Sequence, residues 1–243
     1  MRGYYIIVIV SNPYFQFKQF TVWHDLCAMK VGTDGALLGA WTNCSDAKTG
    51  LDVGTGSGLI ALMLAQRSEA LIDAIDSDEN ACLQAGINFR LSPFASRLQV
   101  LCRDFLHYCP EKSYDLIVSN PPYFENSLKS PDKQRSAARH ADELSLNGLL
   151  EKSYQLLSPD GRLSLILPAD NFDSAQDIAQ QTGFYLTRKT AVSAIENRSP
   201  KRVLLEYAKI FVPPVENEIF IEKSDHSYSE EFTALMKAYY LKM

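Results

Sequence analysis

The sequence predicts a doubly wound, Rossmann-like α/β fold, an open and mostly parallel sheet with helices on both faces and an antiparallel hairpin at its C-terminal side. Three observations predict it. Short apolar runs alternate with amphipathic ones through the middle of the chain, the pattern of repeated β-α-β units. One run, Leu51-Asp52-Val53, enters a glycine-rich turn that opens a helix. The next, Leu71 to Asp76, ends on a carboxylate 24 residues past Asp52 (76 − 52), about where such domains present an acid at the carboxyl edge of the sheet.

At 243 residues the chain has room for one large domain, and 46% hydrophobic with 22% charged residues is ordinary for a globular protein. The net charge of −5 excludes a polycation that coats nucleic acid, though local basic patches remain possible. Cys27, Cys44, Cys82, Cys102 and Cys109 are odd in number, form no C-x-x-C pair and have no histidine at ligand spacing. They predict no metal and read mostly as small core hydrophobes in a reducing, cytoplasmic setting. Tyr4 to Val10 is apolar but too short to span a bilayer and lacks a cleavage site, so it fits an extra edge strand or an upstream start codon better than a signal peptide. Neither a membrane nor an obligate protein partner is implied, and a monomer is expected.

Taken in order, the stretch Tyr14 to His24 begins with alternating aromatic and polar residues and predicts a strand or hairpin within an N-terminal extension, residues 1–30, ahead of the main domain, residues 31–243. Thr33 or Asp34 can cap a short helix that buries Leu37, Leu38 and Trp41. Gly54-Thr55-Gly56-Ser57-Gly58 permits a tight turn and close approach of a ligand to the backbone at a helix start. Its G-x-G-x-G spacing is not the dinucleotide fingerprint, and Asp52 in front of it suits a cationic ammonium group better than a pyrophosphate.

Asp76 is placed for ribose hydroxyls, and Asp78 caps the helix that follows. Leu98 to Cys102 is a further strand. It brings Asp104 to the same edge, able to accept from an adenine amino group with Phe105 packed nearby. Tyr114 to Ser119 is apolar and β-branched at its centre, then stops on Asn120-Pro121-Pro122-Tyr123. The two prolines hold Asn120 extended and stiffen the backbone beyond it. The Asn120 side-chain oxygen and the Pro121 carbonyl, beside the flat ring of Tyr123, suit a planar –NH2 group.

Residues 125–142 form a polar, locally basic connection. Beyond it the pattern predicts a helix over 144–157, a turn at 158–161, a strand over 162–168 and a helix over 172–181. The antiparallel pair 184–195 and 203–212 comes next, then a last helix over 229–241.

The glycine loop with Asp52, then Asp76, Asp104 and Asn120-Pro121-Pro122-Tyr123, resembles the class I S-adenosylmethionine-dependent methyltransferases, within them the amino-methylating group with an N/D-P-P-Y/F motif. Phe17 to Phe20, Met29 to Gly35, Asn120 to Phe124, Ala138-Arg139-His140 and Arg198 to Arg202 are similar to the bacterial tRNA1(Val) adenine-N6 methyltransferases. That resemblance implies S-adenosylmethionine as methyl donor with S-adenosylhomocysteine as product, and adenine 37 of tRNA1(Val) as acceptor. It places Lys30, Thr33, Asp52, Gly54, Gly56, Gly58, Asp76, Asp104, Phe105 and Asn120 at the cofactor, and Asn120, Pro121, Pro122 and Tyr123 at the chemistry. With tRNA as partner, Lys18, Lys30, Arg139, Arg198, Lys201 and Arg202 become candidate phosphate contacts. The Asn-Pro-Pro-Tyr cluster alone would equally serve guanine N2 or adenine N6 in ribosomal RNA, or a glutamine amide in a protein. A non-catalytic cofactor-binding module or RNA chaperone is the rival from another class.

Overall fold

Among the described residues, helices alternate with strands as the apolar pattern predicts, and a single eight-stranded sheet collects all but two of the strands. The computed structural model describes residues 12–27, 29–122 and 144–243. It begins with a hairpin, β1 (Tyr14–Gln16) and β2 (Thr21–Trp23), followed by α1 (Thr33–Trp41). Then come β3 (Thr49–Val53), α2 (Leu59–Arg67), β4 (Leu71–Asp76), α3 (Glu79–Arg90), β5 (Leu98–Cys102) and β6 (Tyr114–Ser119). After residue 143 come α4 (Leu146–Leu156), β7 (Leu157–Pro168), α5 (Phe172–Thr182), β8 (Tyr185–Ile195), β9 (Arg202–Ala208), β10 (Val215–Glu222) and α6 (Glu230–Met236).

The sheet order is β10-β8-β9-β7-β6-β3-β4-β5. β9 pairs antiparallel with both β7 and β8, and every other neighbouring pair is parallel. The strand order therefore reverses between β3 and β6, which makes their carboxyl ends the topological switch point where open α/β sheets bind ligands.

Period-two alternation splits the core into two layers. Ile72, Ala74, Leu116, Val118, Ile166 and Leu204 face α1, α2, α3 and the N-terminal hairpin, whose Phe17, Phe20 and Val22 are buried in that same layer. Ile75, Ile117, Leu163, Leu165, Val203 and Leu205 face α4 and α5 through Leu149, Leu150, Ala175 and Ala179. Among the described residues no helix is long and apolar enough to cross a membrane.

Several expectations need correction. Ser158 to Gly161 is not a separate turn: Leu157 pairs with Tyr114 and Arg162 with Leu116, so these residues bulge within β7. Residue 161 must be glycine there, because a Cβ would lie 2.8 Å from the Tyr114 carbonyl oxygen. α1 is entered through Gly32 in extended conformation, with no side-chain cap from Thr33 or Asp34. β10, which the sequence reading omits, adds to β8 and packs Ile219 and Ile221 on the first core layer. α6 ends at Met236 because Tyr239 and Tyr240 turn inward, the former donating to Met63 O at 3.0 Å and the latter bridging to Phe17. Only Cys44 and Cys82 are buried; Cys27 is intermediate, and Cys102 and Cys109 are exposed.

Candidate active site

The site is assembled where β3, β4, β5 and β6 end. Val53 pairs with Ile75 and with Ser119, so the next residues along, Gly54, Asp76 and Asn120, stand side by side on the carboxyl edge. Ser119 Oγ donates to Val53 O at 2.9 Å, which ties the end of β6 to the mouth of the glycine loop. Gly54, Gly56 and Gly58 all have positive φ, at 69°, 53° and 83°, a conformation that side chains rarely adopt. Asp76 Oδ2 accepts from Gly56 N at 2.9 Å and Oδ1 from Asp78 N at 3.0 Å, so one carboxylate holds the loop and the turn into α3. Asp78 in turn caps α3, accepting from Ala81 N at 2.9 Å.

Two chambers meet at this loop. The first, about 400 Å³, is walled by Gly54, Gly56, Asp76, Asp104, Phe105, Asn120, Pro121 and Pro122. The second, about 380 Å³, is walled by Lys30, Thr33, Asp34, Thr55 and Ser57, and shares Met29, Gly54, Gly56 and Asn120 with the first. A Cβ built at Gly54 or Gly56 meets nothing within 4 Å, so both glycines face open cleft, whereas one at Gly58 would collide with Phe89. Gly58 is thus a packing glycine at the start of α2, behind the wall rather than in it.

Asp52 departs from the sequence reading. It is fully buried behind the loop, off both chamber walls, where Oδ2 accepts from Thr55 Oγ1 at 2.7 Å and from Ala61 N at 3.1 Å. It fastens the loop to α2 instead of presenting a carboxylate to a ligand's ammonium group. Its Oδ1 has no hydrogen-bond partner among the described residues. Desolvation by burial outweighs the two hydrogen bonds and raises the carboxyl group to about 7. Between the unfolded carboxylate range and that value the folded chain holds a proton that the unfolded chain has released. Stability therefore falls as pH rises through this window and levels off above it. Urea unfolding from pH 5 to 8 should show that decline, and Asp52→Asn should flatten it. An unchanged slope in the variant would assign the decline to another group.

Asp104 lies on the wall with Oδ1 accepting from Leu106 N at 2.8 Å and Oδ2 2.8 Å from His107 Nδ1; Phe105 beside it is buried. Tyr123 and Arg139 lie outside the described residues. The basic candidates separate. Arg198 and Lys201 are exposed in the connection from β8 to β9, on the same sheet edge as Asn120. Arg202 instead donates through Nε to Asp34 Oδ2 at 2.8 Å, tying the start of β9 to α1. Lys18 donates through Nζ to the carbonyls of Lys237 and Met243, the latter at 3.0 Å, and so secures the C-terminal segment. A lysine in a sequence gives no sign of which kind of oxygen it meets.

Sequence reasoning missed Cys27 and Arg103 on the first chamber's wall. Burial, then the nearby Asp76 carboxylate, pushes the Cys27 thiol up to about 11, so it stays protonated. Among the described residues no cluster of His, Cys, Asp and Glu could hold a metal ion.

The family model described as methyltransferase small domain matches residues 26–187. A tRNA1(Val) (adenine(37)-N6)-methyltransferase of Parabacteroides distasonis is 54% identical over 96% of this chain and 100% of the relative. One of Bacteroides fragilis is 49% identical over the same shares, and one of Trichodesmium erythraeum 45% over 94% and 98%. Among solved structures, a predicted O-methyltransferase of Agrobacterium tumefaciens superposes with a TM-score of 0.61 at 16% identity, covering 85% of this chain and 96% of that one. A ribosomal protein L11 methylase of Lactobacillus delbrueckii gives 0.54 at 18%, covering 73% and 77%; both likenesses speak for the fold. With a family model over most of its length and such relatives end to end, the chain belongs to the methyltransferase small-domain family, in the branch of the bacterial tRNA1(Val) (adenine(37)-N6)-methyltransferases.

Proposed function

We propose that this chain transfers the methyl group of S-adenosylmethionine to the exocyclic N6 of adenine 37 in the anticodon loop of tRNA1(Val). The position of Asn120 carries the reading: it directly follows β6 on the wall common to both chambers, next to the glycine loop. When bound, S-adenosylmethionine supplies an electrophilic sulfonium methyl group. Asp76 and Asp104 would accept from its ribose hydroxyls and adenine amino group, with Phe105 against the base. Lys30 and Thr33, with the open faces of Gly54 and Gly56, would line the amino-acid end. The residues fit, because the two glycines leave clear the volume a side chain would fill.

An adenine amino nitrogen is a weak nucleophile because its lone pair is delocalised into the ring. Asn120 Oδ1 and the Pro121 carbonyl would accept its two hydrogens, which favours a pyramidal nitrogen and directs the lone pair out of the ring plane. Catalysis is then orientation and electrostatics. Tyr123 would stack on the base. No strong general base is needed, since the proton on nitrogen becomes acidic once the new C–N bond has formed. An anticodon-loop adenine is unpaired, so swinging it into the cleft costs little.

Arg198 and Lys201 are the proposed phosphate contacts. The double variant Arg198→Glu, Lys201→Glu should raise KM for tRNA about tenfold or more and lower the salt slope of binding by about 2, as loss of two phosphate contacts requires. The donor's Kd should not move; an unchanged KM for tRNA would remove both residues from the interface. The function is tested with labelled S-adenosylmethionine and tRNA1(Val) transcripts carrying A or G at position 37. Label is expected in the first alone, and equal incorporation in both would overturn the assignment.

A further inference from the structure

Two buried amides of α3 take no part in the methyl-transfer chemistry. Asn88 is fully buried and Gln84 is 1% exposed. Burying an amide is unfavourable unless its groups find partners, and these partners are main-chain atoms of other segments. Asn88 Nδ2 donates to Trp23 O and to Ser57 O, both at 2.8 Å, and Asn88 Oδ1 accepts from Trp23 N at 2.9 Å. Gln84 Oε1 accepts from Leu26 N at 3.0 Å. One side chain thus grips the glycine loop and the end of β2 together.

The segment leaving β2 walls the cleft. Cys27 and Met29 line the first chamber, and Met29, Lys30, Val31 and Gly32 the second. No helix or strand covers residues 24–27 or 29–32, so regular backbone hydrogen bonding does not place this wall. Besides the α3 amides, the buried His24 ring contributes, with Nε2 3.0 Å from Asn12 O and Nδ1 accepting from Val31 N at 3.5 Å.

We propose that Asn88, supported by Gln84, is a positioning residue for donor binding: it fixes the spacing between the glycine loop and the wall of residues 23–27 and 29–32, so that the cleft is formed before the ligand enters. Preorganisation of this kind appears in affinity, because a loose wall must be ordered during binding. The inference rests on the reading of the cleft as the S-adenosylmethionine site.

The test is calorimetric titration of S-adenosylhomocysteine into the full chain and two variants. Asn88→Asp keeps the acceptor for Trp23 N but sets a second acceptor against two carbonyls. Gln84→Met removes the Leu26 contact and preserves side-chain length. For Asn88→Asp, Kd and the KM for S-adenosylmethionine should rise together by about tenfold or more, the scale of one buried amide left without its partners. Gln84→Met should show a smaller rise of about threefold, and kcat at saturating donor should stay within about threefold in both. A purely structural role would lower the melting temperature and leave Kd unchanged well below it. Folded variants with the parental Kd overturn the proposal; should Asn88→Asp not fold, Gln84→Met decides it by the same criterion. A parent chain that fails to bind S-adenosylhomocysteine takes the methyltransferase reading down as well, whereas binding by the parent and both variants alike removes this inference alone.

Discussion

Replacing Asn120 by Ala should lower kcat about 10²–10³-fold, the range seen when one preorganised polar partner of a reacting centre is removed. The substitution removes the side-chain acceptor but leaves β6, its Ser119 link to Val53 and the two prolines in place. One hydrogen of the acceptor nitrogen would then be held by the Pro121 carbonyl alone, and the lone pair would no longer be directed. The Kd for S-adenosylhomocysteine should stay within about threefold, since the loss falls on the transition state rather than on the ground-state complex. Asn120→Asp, which retains an acceptor oxygen, should recover part of the rate. Single-turnover methylation of tRNA1(Val) measures both, and a parental rate in Asn120→Ala would remove Asn120 from the catalytic set.

Gly58→Ala is expected to unfold the protein more readily than any comparable change in the loop. Its φ of 83° puts an L side chain in the left-handed region, at about 1–2 kcal/mol. The new Cβ would also lie 2.5 Å from Phe89 Cε1 and 3.3 Å from the Ala85 methyl group, and overpacking a core typically adds about 1–3 kcal/mol. Gly54→Ala has the same backbone strain at φ 69° but no neighbour within 4 Å, so its stability loss should stay near 1 kcal/mol. That Cβ projects into the cleft instead, and Gly54→Ala should weaken S-adenosylhomocysteine the more relative to its stability loss. Urea unfolding paired with calorimetry separates the two glycines. Equal destabilisation by both variants would contradict the packing role given to Gly58.

The parallel sheet, its reversed strand and the carboxyl-edge cluster of Gly54, Asp76, Asp104 and Asn120 were legible because each announces itself locally. Apolar runs stop at glycines, prolines or acids, and the chain's topology then brings those stops to one edge. What was illegible depends on partners distant in sequence. A carboxylate ahead of a glycine loop reads the same whether it faces a ligand or, like Asp52, turns back to Thr55 and Ala61. Arg202 and Lys18 look like any surface cation until Asp34 and the C-terminal carbonyls are found beside them. Gln84 and Asn88 look like the wet side of a helix, and only the main chain lying across α3 accounts for their burial. β10 was missed because it comes after Pro213 and Pro214 and opens on Val-Glu-Asn-Glu, a polar run that parallel pairing to β8 nonetheless makes regular.

Phe17 bridges to Tyr240, 223 positions later (240 − 17), and Lys18 N donates to Tyr239 O at 2.8 Å. The hairpin of β1 and β2 is therefore seated against a segment that lies far beyond the sheet in sequence. Contacts of such long sequence separation form late. On refolding from denaturant, the sheet and the glycine loop should therefore form ahead of the seated hairpin, and affinity for the methyl donor, whose cleft wall leaves that hairpin, should recover after the secondary structure does.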